Sequence, residues 1–333
     1  MTTSPLIAPL VQAYFAEHLL NQRRASPQTI SAYRDTLRLL LNWFRETMGR
    51  EPSSLSLADL DAEAILSFLN SLEEIRRNSV RSRNARLAAI RSFFRFVALR
   101  QPEGLAIATR VLAIPIKRGD RRLVTYLTRP EVEAVLGSPD RLSWSGQRDH
   151  ALLLTLYNSG ARVSEIAALK RTQIDLGSSG TSLLLHGKGR KERAVPLWRQ
   201  TARVLRAWLQ NIGETQNNLV FPNARGGPLS RYGVSYILSQ AVRSASRICP
   251  SLKTKRVSPH VLRHTTAMHL LQSGVDISVI ALWLGHESIE TTHIYLEADM
   301  ATKKRALEKL TSPNTSVGTF HADDTLLAFL ATL

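Results

Sequence analysis

Apolar residues recur at helical spacing along most of the chain. In the N-terminal part this pattern predicts four amphipathic helices, at about 8–20, 27–46, 57–72 and 78–100. Ser26 followed by Pro27 marks the start of the second helix, because a serine cap and a proline at the first helical position both favour initiation. Residues 1–100 therefore predict a small helical domain.

The fourth predicted helix has an apolar face and a basic face. The basic face consists of Arg81, Arg83, Arg86, Arg91 and Arg95. A run of charge is most often a solvated surface, but in a basic protein such a helix can also lie along the DNA backbone. We favour the DNA-binding interpretation.

The composition of residues 101–125 differs from that of the preceding helices, because this segment contains prolines, glycines and a basic cluster. The basic cluster consists of Lys117, Arg118, Arg121 and Arg122. This composition predicts a largely extended linker that lies on phosphates. Thr128 and Glu131 then form a capping-box pattern, which predicts the start of a second domain over residues 126–310.

The second domain mixes helices with one pair of strands. A buried helix is predicted at 148–158, and two short strands at 181–185 and 193–197 flank a basic glycine-bearing turn, as in a β-hairpin. Further helices are predicted at 198–211 and 230–247. The fold class is therefore mainly α with a small antiparallel β-sheet, followed by a tail over 311–333 that carries a short apolar helix.

Residues 258–295 place polar groups among apolar helical positions. The segment holds five histidines, Arg263 and Tyr295, and polar groups in such surroundings cost free energy unless something offsets it. A cluster of this kind is typical of a functional site.

The composition indicates a polyanionic partner. Lysine plus arginine is 44 and aspartate plus glutamate is 27, so the formal net charge is 44 − 27 = +17. The single cysteine, Cys249, suits a reducing compartment. The N-terminal residues lack the pattern of a signal peptide, and no apolar run is long enough to span a membrane. We expect a cytoplasmic, nucleoid-associated protein with no membrane partner.

Three other kinds of site fit the sequence poorly. His260 and His264 have the spacing of metal ligands, but the acidic residue of a zinc protease and cysteine ligands are absent. The GKG at 187–189 lacks the remaining residues of a phosphate-binding loop. The run 272–286 imitates a helix-turn-helix, yet its second helix is almost wholly apolar and has no side chains to contact base edges.

Four short motifs together resemble the tyrosine recombinase (phage integrase) family. They are GARVSEI at 160–166, HGKGRKER at 186–193, HVLRH at 260–264, and LGH at 284–286 with THIY at 292–295. Each motif is short, but four in the family's order are highly specific. The resemblance implies a SAM-like helical core-binding domain and a mixed α/β catalytic domain that form a C-shaped clamp on DNA.

The resemblance also assigns roles to single residues. It implies Tyr295 as nucleophile, Lys188 as general acid, His260 as the residue that assists proton transfer, and His286 as a donor to the phosphate. Arg162 and Arg263 are implied as the phosphate clamp, to which two planar guanidinium groups are suited. The other histidines of the segment, His264, His269 and His293, are expected to be core or surface residues.

The function implied by the resemblance is site-specific DNA recombination through a 3′-phosphotyrosyl intermediate, with no metal, ATP or other cofactor. Arg190 and Lys191 at the hairpin tip are further candidates for DNA contact. The partners implied are double-stranded DNA and either a tetramer of this chain on two duplexes or a second related recombinase. A type IB topoisomerase and a catalytically silent DNA-binding regulator are the alternatives.

Overall fold

A computed structural model describes residues 4–119, 124–177, 180–187, 191–213, 218–298 and 330. The chain divides into two compact units, Met1–Arg121 and Arg122–Leu333. The described part is mainly helical with one three-stranded antiparallel sheet, so the predicted fold class is confirmed. The clamp-like arrangement and the predicted domain limits stay predictions, and the apolar helix of the 311–333 tail lies outside the described residues.

The described part of the first unit consists mainly of helices, with one isolated antiparallel bridge between Leu6 and Ser56. Its helices are α1 (Ile7–Ala13), which continues as a π-helical segment (Tyr14–Gln22), α2 (Pro27–Met48), α3 (Ala62–Glu74), α4 (Val80–Arg100) and α5 (Leu105–Ala113). Ser26 caps α2 through its side chain, as the sequence predicts. The apolar face predicted for α4 is buried and packs with Tyr14, Phe44 and Phe68 in one core.

The prediction of a largely extended linker after residue 100 is wrong for α5. Ala108 and Val111 are fully buried in the core of the first unit. The prolines and glycines predicted an extended chain. However, Gly104 lies just before α5, and the apolar residues after it have the spacing of one more short amphipathic helix. Burial of these residues overrides the weak local signals for a loop.

The arginines of α4 do not form one exposed face. Arg83 is buried at 4% exposure and lies near Glu73, while Arg86 donates to the Thr36 hydroxyl at 2.9 Å and Arg91 donates to the Ile114 carbonyl. Arg81 and Arg95 are exposed. The assignment of Arg83 to a DNA-contacting face is therefore corrected, because this side chain is buried and contacts protein. The same assignment for Arg81, Arg86, Arg91 and Arg95 stays a prediction.

The second unit places helices around a small sheet. Its elements are α6 (Arg129–Gly137), α7 (Trp144–Ser159), α8 (Val163–Ala167), β1 (Ile174–Asp175), β2 (Ser182–His186), β3 (Glu192–Pro196), α9 (Arg199–Ile212), α10 (Arg231–Ala245), α11 (Pro259–Gln272), α12 (Ile277–Leu284) and α13 (Glu290–Ala298). The predicted capping box of Thr128 and Glu131 starts α6.

The sheet has the order β1-β2-β3 with antiparallel neighbours. Leu183 pairs with Val195 and His186 pairs with Glu192, so the predicted hairpin is confirmed, although β1 was not predicted. Lys188 and Arg190, which were predicted at the hairpin tip, lie outside the described residues. No described helix is long and apolar enough to cross a membrane.

We expect the substitution Arg83→Ala to lower the free energy of unfolding by roughly 1–3 kcal/mol, because it removes a buried side chain that lies near Glu73 and donates to the Pro115 carbonyl. Arg95→Ala on the same helix is the matched control and should change stability by less than about 0.5 kcal/mol, because Arg95 is exposed. Urea denaturation of both variants measures the difference, and equal effects would show that Arg83 has no structural role.

Candidate active site

The C-terminal end of α12 is where the candidate residues meet. The last carbonyls of a helix have no partner within the helix. Here three arginine side chains donate to them: Arg193 Nε to the Trp283 oxygen at 3.0 Å, Arg263 Nη2 to the Leu284 oxygen at 2.7 Å, and Arg162 Nη2 to the Gly285 oxygen at 3.0 Å. The partial negative charge at this end of the helix favours cations.

Gly285 permits this arrangement because of its backbone conformation. Its φ of 66° lies in the left-handed region, and a Cβ there would lie 3.0 Å from Cδ of Arg193. A larger residue at this position would strain the turn and displace the arginine.

A single carboxylate holds two of these arginines. Glu165 accepts from Arg162 Nη1 at 3.0 Å, and from Arg193 Nη1 and Nη2 at 2.9 and 2.8 Å. It also accepts from the backbone N–H of Arg162, which places Arg162 directly before α8. Burial raises the pKa of Glu165, but the bonds and charge of Arg193 and Arg162 outweigh it and lower the pKa below its usual value. Glu165 is therefore ionised.

Arg263 on α11 is the most buried of the three arginines at the end of α12, at 4% exposure. Its Nη1 donates to the Gly160 carbonyl at 2.6 Å. Gly160 has a φ of 57°, and a Cβ there would lie 2.6 Å from Leu284 Cδ2, so only glycine lets the chain pass this close to α12. Burial, followed by the charges of Arg162 and Arg193, lowers the pKa of Arg263 to about 10, and the group stays cationic at neutral pH.

Tyr295 on α13 lies beside this cluster and is 1% exposed. Its hydroxyl is 2.9 Å from His264 Nδ1. Burial raises the pKa of the hydroxyl to about 12, although the charge of Arg263 acts in the opposite direction. The hydroxyl is therefore protonated in the resting protein.

His286 follows the end of α12 and faces the tyrosine ring. Its Nδ1 is 2.7 Å from the buried hydroxyl of Thr292, and its ring is stacked on that of Tyr295 with centroids 6.4 Å apart. Burial lowers the pKa of His286 to about 4, with further contributions from Arg263 and Arg162. The imidazole is neutral at pH 7, and its tautomer depends on the direction of the bond to Thr292.

The structure therefore brings together four of the six residues implied as catalytic: Arg162, Arg263, His286 and Tyr295. His260 is exposed at the start of α11, with its ring 4.1 Å from that of His264. The position of Lys188 lies outside the described residues. Of the remaining histidines, His269 bonds to the Tyr157 hydroxyl in the core and His293 is exposed, as expected.

Three residues of the site were missed by the sequence analysis. Glu165 stands three residues after Arg162, at the spacing of a helix-start contact, and that spacing was a usable signal. Arg193 carries no local signal, because its partners come from distant segments. His264 is one helical turn after His260 and was expected to be a core or surface residue, but it contacts the hydroxyl of Tyr295.

The described residues hold no group of three or more histidine, cysteine, aspartate or glutamate side chains arranged to bind a metal ion. What the cluster presents instead is an excess of positive charge: three arginines against one carboxylate, with neutral histidines and a neutral tyrosine. Such a site complements a tetrahedral oxyanion such as phosphate.

Two family models match the chain. The phage integrase family matches residues 125–302, and the N-terminal SAM-like domain of phage integrases matches residues 12–101. The chain is 51% identical over its full length to an integrase/recombinase of Sinorhizobium fredii, y4rC, which is also covered in full. It is 31% identical to the tyrosine recombinase XerC of Lacticaseibacillus casei, over 89% of this chain and 97% of that protein.

Solved structures give the same fold. The XerH site-specific recombinase bound to its difH substrate matches with a TM-score of 0.70 at 23% identity, over 86% of this chain and 81% of that one. The integrase of the transposon Tn1549 in complex with a circular intermediate DNA matches with a TM-score of 0.70 at 15% identity, over 92% of this chain and all of that one.

The chain belongs to the phage integrase family. It is a tyrosine-type site-specific recombinase, and the family predicted from the four motifs is confirmed.

We expect the second unit to lose stability as the pH falls from about 6.5 to 4. His264, His269 and His286 have pKa values lowered to about 4 by burial, whereas the unfolded chain keeps the ordinary value of 6.5. Within that window the unfolded chain binds more protons, so acid favours unfolding, by roughly 1 kcal/mol or more in total after allowance for partial exposure.

Urea denaturation followed by tryptophan fluorescence at pH 7, 6 and 5 measures this loss. The variant His269→Gln removes one of the three imidazoles with a lowered pKa and should make the pH dependence shallower. Equal stability at all three pH values would contradict the burial of neutral histidines.

Proposed function

We propose that Tyr295 attacks a scissile phosphate of double-stranded DNA and forms a 3′-phosphotyrosyl link with release of a 5′-hydroxyl. The observation that supports this most is the meeting of Arg162, Arg263 and His286 with the tyrosine at one end of α12. A phosphoryl group that is attacked in this way gains charge on its oxygens, and preorganised cations lower the energy of that state.

Each cation and donor then has a separate task. Arg162 and Arg263 bind the non-bridging oxygens, and their guanidinium groups are held by backbone carbonyls before DNA arrives. His286 donates to the same phosphate from Nε2 in the tautomer in which the Thr292 hydroxyl donates to Nδ1. Holding these donors in place avoids reorganisation during the reaction.

The leaving oxygen and the nucleophile both require proton transfer. We assign Lys188 as the acid that protonates the 5′-oxygen and His260 to the proton path of the tyrosine. Lys188 follows β2, whose pairing with β3 fixes the base of the hairpin. The phosphotyrosine keeps the energy of the broken phosphodiester, so rejoining needs neither ATP nor a metal ion.

The contacts with DNA outside the site are assigned to exposed cations. Arg81, Arg95, Arg118 and Lys191 are exposed, and Lys117 is exposed while it pairs with Glu73 at 2.9 Å. Arg121, Arg122 and Arg190 lie outside the described residues and complete the proposed set. Phosphate contacts of this kind position the protein without specifying sequence.

The assembly that we propose is four protomers on two duplexes, with either this chain alone or a second related recombinase. The biological process that we propose is the movement of a mobile element, by integration or excision. Two similar proteins support this process: one is described as an integrase/recombinase, and the other is a transposon integrase bound to circular intermediate DNA.

We expect the wild-type chain to form a covalent complex with a nicked suicide substrate that carries the cognate site, in the presence of EDTA. Tyr295→Phe should abolish the complex, because it removes the attacking oxygen, while gel-shift binding to the site is retained. His293→Gln is the matched control, since His293 is exposed on the same helix. Absence of a covalent complex on the cognate site would overturn the proposal, and relaxation of plasmids without a site would favour a topoisomerase.

We expect Lys188→Ala to reduce cleavage of an ordinary substrate by about 10²–10⁴-fold, the usual range for loss of a general acid. In a substrate with a bridging 5′-sulfur, the leaving thiolate needs no protonation. This substrate should therefore restore most of the cleavage rate. Lys191→Ala is the control and should respond equally to both substrates. If the sulfur substrate fails to restore cleavage, Lys188 is not the acid.

A further inference from the structure

His264 has a position that the six implied residues do not explain. It lies on α11 one turn after His260, half-buried, and its Nδ1 is 2.9 Å from the hydroxyl of Tyr295. The rings of His264 and Tyr295 meet edge to face with centroids 5.5 Å apart. A direct hydrogen bond to the attacking oxygen is the geometry required of a general base.

At neutral pH, Tyr295 and His264 are both in the protonation state that proton transfer from the tyrosine to the histidine requires. Burial, followed by the charges of His260 and Arg263, lowers the pKa of His264 to about 4, so the imidazole is neutral at pH 7. Tyr295 is protonated at this pH. The tautomer with its proton on Nε2 presents the Nδ1 lone pair to the hydroxyl and accepts its hydrogen bond.

The groups around His264 define where a proton goes next. His260 lies on the solvent side, 4.1 Å away between ring centroids, and is exposed. Arg263, the preceding residue on the same helix, disfavours a lasting positive charge on His264. An imidazolium at His264 is therefore short-lived unless it passes a proton outward.

We propose that His264 takes the proton of Tyr295 during attack and that His260 carries it onward to solvent. This inference rests on the proposed function, in which Tyr295 is the nucleophile. The tyrosine oxygen forms a bond to phosphorus, its proton moves to Nδ1 of His264, and the bond from phosphorus to the 5′-oxygen breaks. The Nε2 proton of His264 then passes to His260 or to water, and rejoining runs the same steps in reverse.

The test uses His264→Asn, because the asparagine side-chain oxygen replaces Nδ1 as a hydrogen-bond acceptor but takes up no proton. We expect single-turnover cleavage of the suicide substrate to fall by about 10²-fold or more, as for loss of a general base. Replacing Tyr295 with 3-fluorotyrosine, whose hydroxyl is more acidic, should restore part of the rate in this variant. A residue that only orients the tyrosine would give neither result.

His260→Asn and the double variant extend the test. If the two histidines act in one proton path, the double variant should cleave about as slowly as His264→Asn alone, because residues that act as a unit are not additive. His293→Asn on α13 is the matched control and should cleave at the wild-type rate.

Cleavage by His264→Asn at a rate within about threefold of wild type would overturn the inference. Faster cleavage would also overturn it, because the contact of His264 would then restrain the tyrosine. The wild-type chain distinguishes failure of this inference from failure of the proposed function. If the wild type forms no covalent complex, the proposed function is overturned, whatever the variants do. Histidine-selective ¹⁵N NMR of the unmodified chain gives a readout that needs no substitution: a proton resident on Nδ1 of His264 would also overturn the inference.

Discussion

The structure of the site depends on the neutralisation of the C-terminal end of α12 by three arginines. Arg162, Arg193 and Arg263 each donate to a different carbonyl there, and Glu165 is the carboxylate that holds two of them together. Like charges at this separation repel, and their arrangement persists because every guanidinium group has backbone or carboxylate partners. The loop before α8, the hairpin, α11 and α12 are all joined through this one network.

This constraint explains the chemical state of the neighbouring groups. Burial and, after it, the neighbouring positive charges keep His264 and His286 neutral, and burial keeps Tyr295 protonated despite the nearby Arg263. Under the proposed function, a phosphate that enters the site supplies the negative charge that the network lacks. The cations would then be in position before the substrate binds, and their alignment would add little cost during the reaction.

Much of the fold and site could be predicted because the signals are local. The start of α2 at Ser26, the hairpin and the histidines of α11 follow from neighbouring residues and their spacing. The contacts of Arg193 and His264 could not be predicted, because their partners are separated from them along the chain and meet only after folding. The burial of Arg83 is similar: a basic helix face has the same sequence pattern whether its arginines contact solvent or protein.

The proposed reaction requires that Tyr295 becomes covalently attached to DNA within this arginine-lined site. Mass spectrometry of the complex trapped on a nicked suicide substrate in EDTA tests this attachment. We expect a single modified peptide that contains Tyr295, with a nucleotide joined through its 3′-phosphate. A nucleotide attached to any other residue, or attached through a 5′-phosphate, would contradict it.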